Sequence, residues 1–109
     1  MNRTFKEVPS FTKKWMSLGL TDEDLRSLEN ILLKNPKMGD VIQNTGGIRK
    51  IRIPYDDIGK RGGGRVIYID IEVKECIYFL NVYVKNEQLN LTESEKKMLK
   101  KLVELLKEE

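Results

Sequence analysis

The chain has 109 residues and a mass of 12.7 kDa, the length of one core, and 39% hydrophobic residues are enough to build it. Twenty Lys and Arg stand against seventeen Asp and Glu, a net +3 that is compatible with a polyanionic partner. There is no histidine and one cysteine, Cys76, which excludes Ser-His-Asp and Cys-His nucleophile sites, an internal disulfide and most zinc sites.

In chain order, residues 3–8 read as a short strand. Ser10 then caps a helix with Phe11, Trp15 and Leu18 on one side, ending at Gly19. Thr21 caps a second helix, and Asp22, Glu23 and Asp24 meet the positive end of its dipole. Leu25, Leu28, Ile31 and Leu32 form its apolar stripe, and Asn35-Pro36 ends it. Gly46-Gly47 signals a turn, residues 48–53 a strand, and residues 54–64 a loop. Strands follow at 65–73 and 76–85, joined tightly through Lys74-Glu75. In the last of them Tyr78, Leu80, Val82 and Val84 are expected on one side.

Thr92 to Glu95 is a capping box. It opens a final helix whose stripe is Met98, Leu99, Leu102, Val103, Leu105 and Leu106. This order predicts one α+β domain over residues 1–109, a small antiparallel sheet packed against helices. The helices are expected to cover one face and leave the other partly open. No apolar run resembles a signal peptide or approaches the roughly 20 residues of a membrane span. A reduced, cytoplasmic protein without a membrane partner is therefore expected.

The charge is concentrated. Residues 49–65 hold Arg49, Lys50, Arg52, Lys60, Arg61 and Arg65 against Asp56 and Asp57, so this strand–loop–strand unit supplies the whole positive excess. A bland reading makes it a solvated loop. Against that, its cations lie on β elements beside glycines, where backbone can approach a phosphate. Tyr68 and Tyr83 lie on neighbouring strands, and cations interleaved with aromatic rings suit single-stranded nucleic acid. Both tyrosines can equally be sheet packing. Gly59-Lys60-Arg61 is no P-loop, because Arg61 stands where Ser or Thr is needed. Asp56-Asp57 reads as a turn former, Cys76 as a small core residue, and no metal site is expected.

The stretches N-P-x-x-G (35–39), G-G-[IL]-R-K-[IL]-R (46–52), G-K-R-G-G-x-R-[VI]-I-Y (59–68) and Y-x-K-N-E (83–87) occur in that order. Together they resemble the HigB-like branch of the RelE/ParE toxin superfamily of bacterial toxin–antitoxin systems. The resemblance implies a RelE-like microbial-ribonuclease fold and ribosome-dependent cleavage of mRNA. The substrate's own 2′-hydroxyl is then the nucleophile, so no cofactor is expected. It further implies that Arg65 stabilises the charged phosphate, with Lys50 and Arg52 forming a basic strand and Lys60 and Arg61 a basic loop. Lys85 is implied as proton donor to the leaving oxygen. Arg49, Tyr68 and Tyr83 complete the expected RNA-binding set. The implied partners are ribosome, mRNA and a cognate antitoxin, a small helix-turn-helix protein, with the free form monomeric. Some relatives carry a Tyr or His near the C-terminus that contacts the cut nucleotide; nothing aromatic follows Tyr83 here. A gyrase-inhibiting relative and a non-catalytic binder are the competing readings.

Overall fold

The computed structural model describes residues 2–55 and 63–109. Strands β1 (Thr4–Glu7), β2 (Asp40–Val41), β3 (Arg49–Ile53), β4 (Gly64–Ile71) and β5 (Cys76–Val84) form one sheet in the order β1-β5-β4-β3-β2. The helices are α1 (Pro9–Ser17), α2 (Asp22–Lys34) and α3 (Glu93–Glu108).

Local chemistry sets most of the element ends. At α2, Thr21 accepts from the Asp24 backbone N–H while the Asp24 carboxylate accepts from the Thr21 N–H. At α3, Thr92 and Glu95 repeat this reciprocal cap. The start of α1 differs from expectation: Val8 is its cap residue and Pro9 its first position, where a missing N–H costs nothing, and no side chain caps it. Gly19 follows α1 at φ +79°, a conformation open to glycine without strain. The Trp15 indole reaches over this turn and donates to the Thr21 carbonyl at 3.1 Å.

Three features of the sheet correct the expected architecture. First, the sheet is mixed, since β1 pairs parallel with β5 while every other pair is antiparallel. Second, β2 exists: Asp40 stands opposite Lys50 and Val41 opposite Arg49. Two residues are too few to show any period. Third, helices cover both faces. On one, Phe11 and Trp15 of α1 and Leu28 and Leu32 of α2 pack on Ile51, Val66, Ile77, Phe79 and Val82. On the other, Val103 and Leu106 of α3, with Leu91, pack on Ile67, Ile69, Ile71, Tyr78 and Leu80. Hence β4 is buried at nearly every position, with Val66 to Ile69 an unbroken apolar run, the pattern of a strand covered on both sides.

A bulge in β5 decides where Tyr83 points. Ile67 faces Asn81 and Tyr68 faces Phe79, so Leu80 is the extra residue. An extra residue reverses the side-chain parity beyond it. Tyr78 and Leu80 therefore face α3, but Val82 joins the α1/α2 side and Tyr83 turns to the α3 side. Plain alternation had expected Tyr78, Leu80 and Val82 together.

Candidate nucleic-acid interface

Register builds the site. Directly opposed residues of neighbouring strands share a face. Arg52 lies opposite Arg65, and Arg65 lies opposite Tyr83, so these three form one cross-strand row. Lys50, Ile67 and Asn81 form the next. Both rows lie on the α3 side of the sheet. Beyond the reach of α3, the β3 side of this face opens into a groove of about 540 Å³. It is lined by Met38, Gly39, Asp40, Lys50, Ile51, Arg52, Arg65, Leu89 and Asn90. Three cations and one carboxylate line it, a net positive cleft suited to phosphate.

Lys50 and Arg52 thus share a side, as the alternation predicted. The Lys50 ammonium donates to the Asn90 side-chain oxygen at 3.3 Å, which ties β3 to the segment before α3. Arg52 is exposed. Arg65 is only 9% exposed, and its guanidinium donates to the Gly64 carbonyl at 3.0 Å. It is a largely buried anchor at the floor of the groove. Lys60 and Arg61, with Asp56 and Asp57, lie outside the described residues. Lys85 is exposed one residue past β5, where its backbone N–H donates to the Gly63 carbonyl at 2.8 Å, and it does not line the groove.

The other three expected RNA contacts have different surroundings. Tyr68 is fully buried on the α1/α2 face and offers no ring to a base. Its hydroxyl donates to the Pro36 carbonyl and accepts from the Gly39 N–H, each at 2.9 Å. Arg49, opposite Tyr68, turns its guanidinium to the Lys37 carbonyl at 3.1 Å and the Gly39 carbonyl at 2.6 Å. Together they grip the turn at residues 36–39. Gly39 is required there, because a Cβ would lie 2.9 Å from both the Lys50 carbonyl and the Tyr68 ring. Tyr83 is 2% exposed under the α3 side, so its ring too is core. Burial raises both phenols above the ordinary tyrosine range.

The two phenols should respond oppositely to loss of the hydroxyl. Tyr68→Phe strands the buried Gly39 N–H and should cost about 1–3 kcal/mol in urea denaturation. The Tyr83 hydroxyl is buried and finds no hydrogen-bond partner among the described residues, so Tyr83→Phe should leave stability unchanged or raised. A Tyr68→Phe protein as stable as the parent would show that the turn does not depend on the phenol.

Met38, Asp40, Leu89 and Asn90 line the groove without having been singled out from sequence. Met38 does fall inside the 35–39 stretch that carries the resemblance, and Asp40 directly follows it. Met38 is 51% and Leu89 69% exposed, so the cationic cleft has apolar lips. Among the described residues, no group of three or more Cys, Asp or Glu is placed to hold a metal ion. Among them also, no helix is long and apolar enough to cross a membrane.

A five-stranded sheet with helices on both faces and a cationic groove on one describes a small α+β protein with a surface suited to a polyanion. The chain belongs to the RelE toxin family: the model for the RelE toxin of the RelE/RelB toxin–antitoxin system matches residues 2–108. Solved structures agree on the fold. An arginine-substituted mutant of the E. coli toxin RelE in the free state is 17% identical at a TM-score of 0.61. That match covers 90% of this chain and 97% of the other. The isolated E. coli RelE toxin in a P21 crystal form is 16% identical at a TM-score of 0.58, over 94% of this chain and 99% of that one.

Proposed function

We propose that this toxin is a HigB-like, ribosome-dependent mRNA endonuclease, neutralised in the cytoplasm by a cognate helix-turn-helix antitoxin. The observation that supports the reading best is the convergence of Lys50, Arg52 and Arg65, from two strands, on one groove. A hairpin holding three cations on one face suits an RNA phosphate whose charge grows as it is attacked.

The chain has no histidine, and its cysteine is buried. Transesterification asks for no protein nucleophile: the ribose 2′-oxygen attacks the adjacent phosphorus and the 5′-oxygen leaves. Arg65 and Arg52 balance the charge gained by the phosphoryl oxygens. Lys50 orients the phosphate from the neighbouring row, and Lys60 and Arg61 carry the further cationic roles that the family resemblance implies. The family resemblance gives the proton for the departing oxygen to Lys85, which is exposed just past β5 and outside the groove lining. Met38 and Leu89, at the lips, meet the bases in place of the buried tyrosines.

The test is incubation of the purified toxin with ribosomes carrying a defined mRNA. Primer extension should map cuts in ribosome-bound message only. The products should end in a 2′,3′-cyclic phosphate and a 5′-hydroxyl, and a single 2′-deoxy substitution at the cut site should block cleavage there. Inhibition of gyrase supercoiling with intact mRNA would overturn the reading.

A further inference from the structure

We infer that Asp40 is the general base that takes the proton from the attacking 2′-hydroxyl, an assignment that rests on the nuclease reading above. The reaction needs a proton acceptor, and the cations of the site are poor ones. A lysine with a reference value near 10.4 stays protonated around neutrality, and arginine more so. Asp40 is the one carboxylate among the described residues that line the groove.

The fold places it there by a specific device. Strand β2 is two residues long, and its pairing sets Asp40 directly opposite Lys50. Directly opposed Cβ atoms lie about 4.5–5.5 Å apart, the scale of the step from a ribose to its own phosphate. With a phosphate seated on Lys50, Arg52 and Arg65, Asp40 is within reach of a ribose that lies on its side of that phosphate. The preceding turn is rigid: Tyr68 and Arg49 hold Pro36, Lys37 and Gly39 by hydrogen bonds, and Gly39 admits no side chain. Asp40 itself is exposed, so its oxygens are open to substrate. The Asp40 carboxylate repels a phosphate, but three cations outweigh it in the groove.

The step balances. The 2′-O–H bond breaks and its proton passes to the Asp40 carboxylate. The 2′-O–P bond forms, the P–5′-O bond breaks, and the 5′-oxygen leaves with the electron pair and gains a proton from a lysine ammonium. Asp40 then returns its proton to solvent, and the lysine takes one up from solvent, which restores both groups. The charged or titratable groups around it are Lys50 and Arg49 on β3, Arg52 and Arg65 along the groove, the Tyr68 phenol on β4, and Lys96 of α3 across the adjoining cleft. All but the phenol are cations.

The test is single-turnover cleavage of ribosome-bound mRNA by wild type, Asp40→Asn and Asp40→Glu between about pH 6.5 and 8.5, where a carboxylate of reference value near 3.9 is in its basic form. Wild type should show a nearly flat rate, whereas a lysine base would make it rise about tenfold per pH unit. Asp40→Asn should be slower by about 10²–10⁴-fold, and its residual rate should climb with pH as hydroxide takes over. Ribosome affinity and melting temperature should not fall, and Asp40→Glu should recover part of the rate. A wild type that rises with pH, or an Asp40→Asn protein matching the wild-type rate and profile, overturns the assignment while leaving the nuclease reading in place. A wild type that cuts no ribosome-bound mRNA overturns both.

Discussion

Arg65→Ala should lower single-turnover cleavage of ribosome-bound mRNA by about 10²–10³-fold, the loss seen when one donor aimed at developing charge is removed. The prediction follows from its place in the row Arg52–Arg65–Tyr83, at the floor of the groove. A cation at the edge of a basic loop is expected from sequence to be exposed, with little effect on stability when it is removed. At 9% exposure and bonded to the Gly64 carbonyl, Arg65 is partly structural. The alanine variant should therefore also melt earlier, with a cost of about 1.5–3 kcal/mol for the lost charged hydrogen bonds.

Arg65→Lys separates the two effects. It keeps the charge and most of the buried stem but loses the planar fork that matches a phosphate. Its stability should return nearly to that of the parent, while cleavage recovers only in part. Full activity in the alanine variant, measured on folded protein, would remove Arg65 from the site.

Much of this fold was legible because the relevant chemistry is local. A Thr with an acidic residue three positions on closes a cap wherever it stands, and both Thr21 and Thr92 do so. The Ile and Val runs of β3 and β4 read as strands, and their register puts Lys50 and Arg52 on one side. What escaped the sequence was non-local. Alternation says that Tyr68 and Tyr83 face opposite ways from their neighbours but not whether anything covers them. Here α1 and α2 cover one and the α3 side covers the other. The bulge at Leu80 has no glycine or proline to announce it, yet it changes the face of everything after it. The parallel β1–β5 pairing joins residues about seventy positions apart, beyond any turn signal. In the site, the cations were visible as a cluster, while Asp40 was hidden because its strand is too short to have a pattern.

Phe79→Ala should cost about 3–5 kcal/mol, a large share of the 5–15 kcal/mol typical of a whole domain. Phe79 is fully buried, and its ring lies 5.7 Å from that of Phe5 and 5.3 Å from that of Phe11, stacked against both. Phe11 in turn stacks on Trp15 at 5.4 Å. Phe79 thus joins β1, β5 and α1 through one aromatic column, and it also opposes Tyr68, whose hydroxyl holds the turn before Asp40. Truncation leaves a cavity between a strand and a helix that are each fixed at several other points, so collapse is limited and the upper part of the range is expected. The groove itself lies on the opposite face of the sheet, built from β2, β3 and β4. Toxicity should therefore be lost at growth temperature through unfolding and degradation. At low temperature, the fraction that remains folded should still bind programmed ribosomes with near-parental affinity. Denaturant unfolding and ribosome co-sedimentation at two temperatures read the two effects apart. A Phe79→Ala protein that stays folded at both temperatures yet fails to bind ribosomes would mean that the aromatic column transmits its position to the groove.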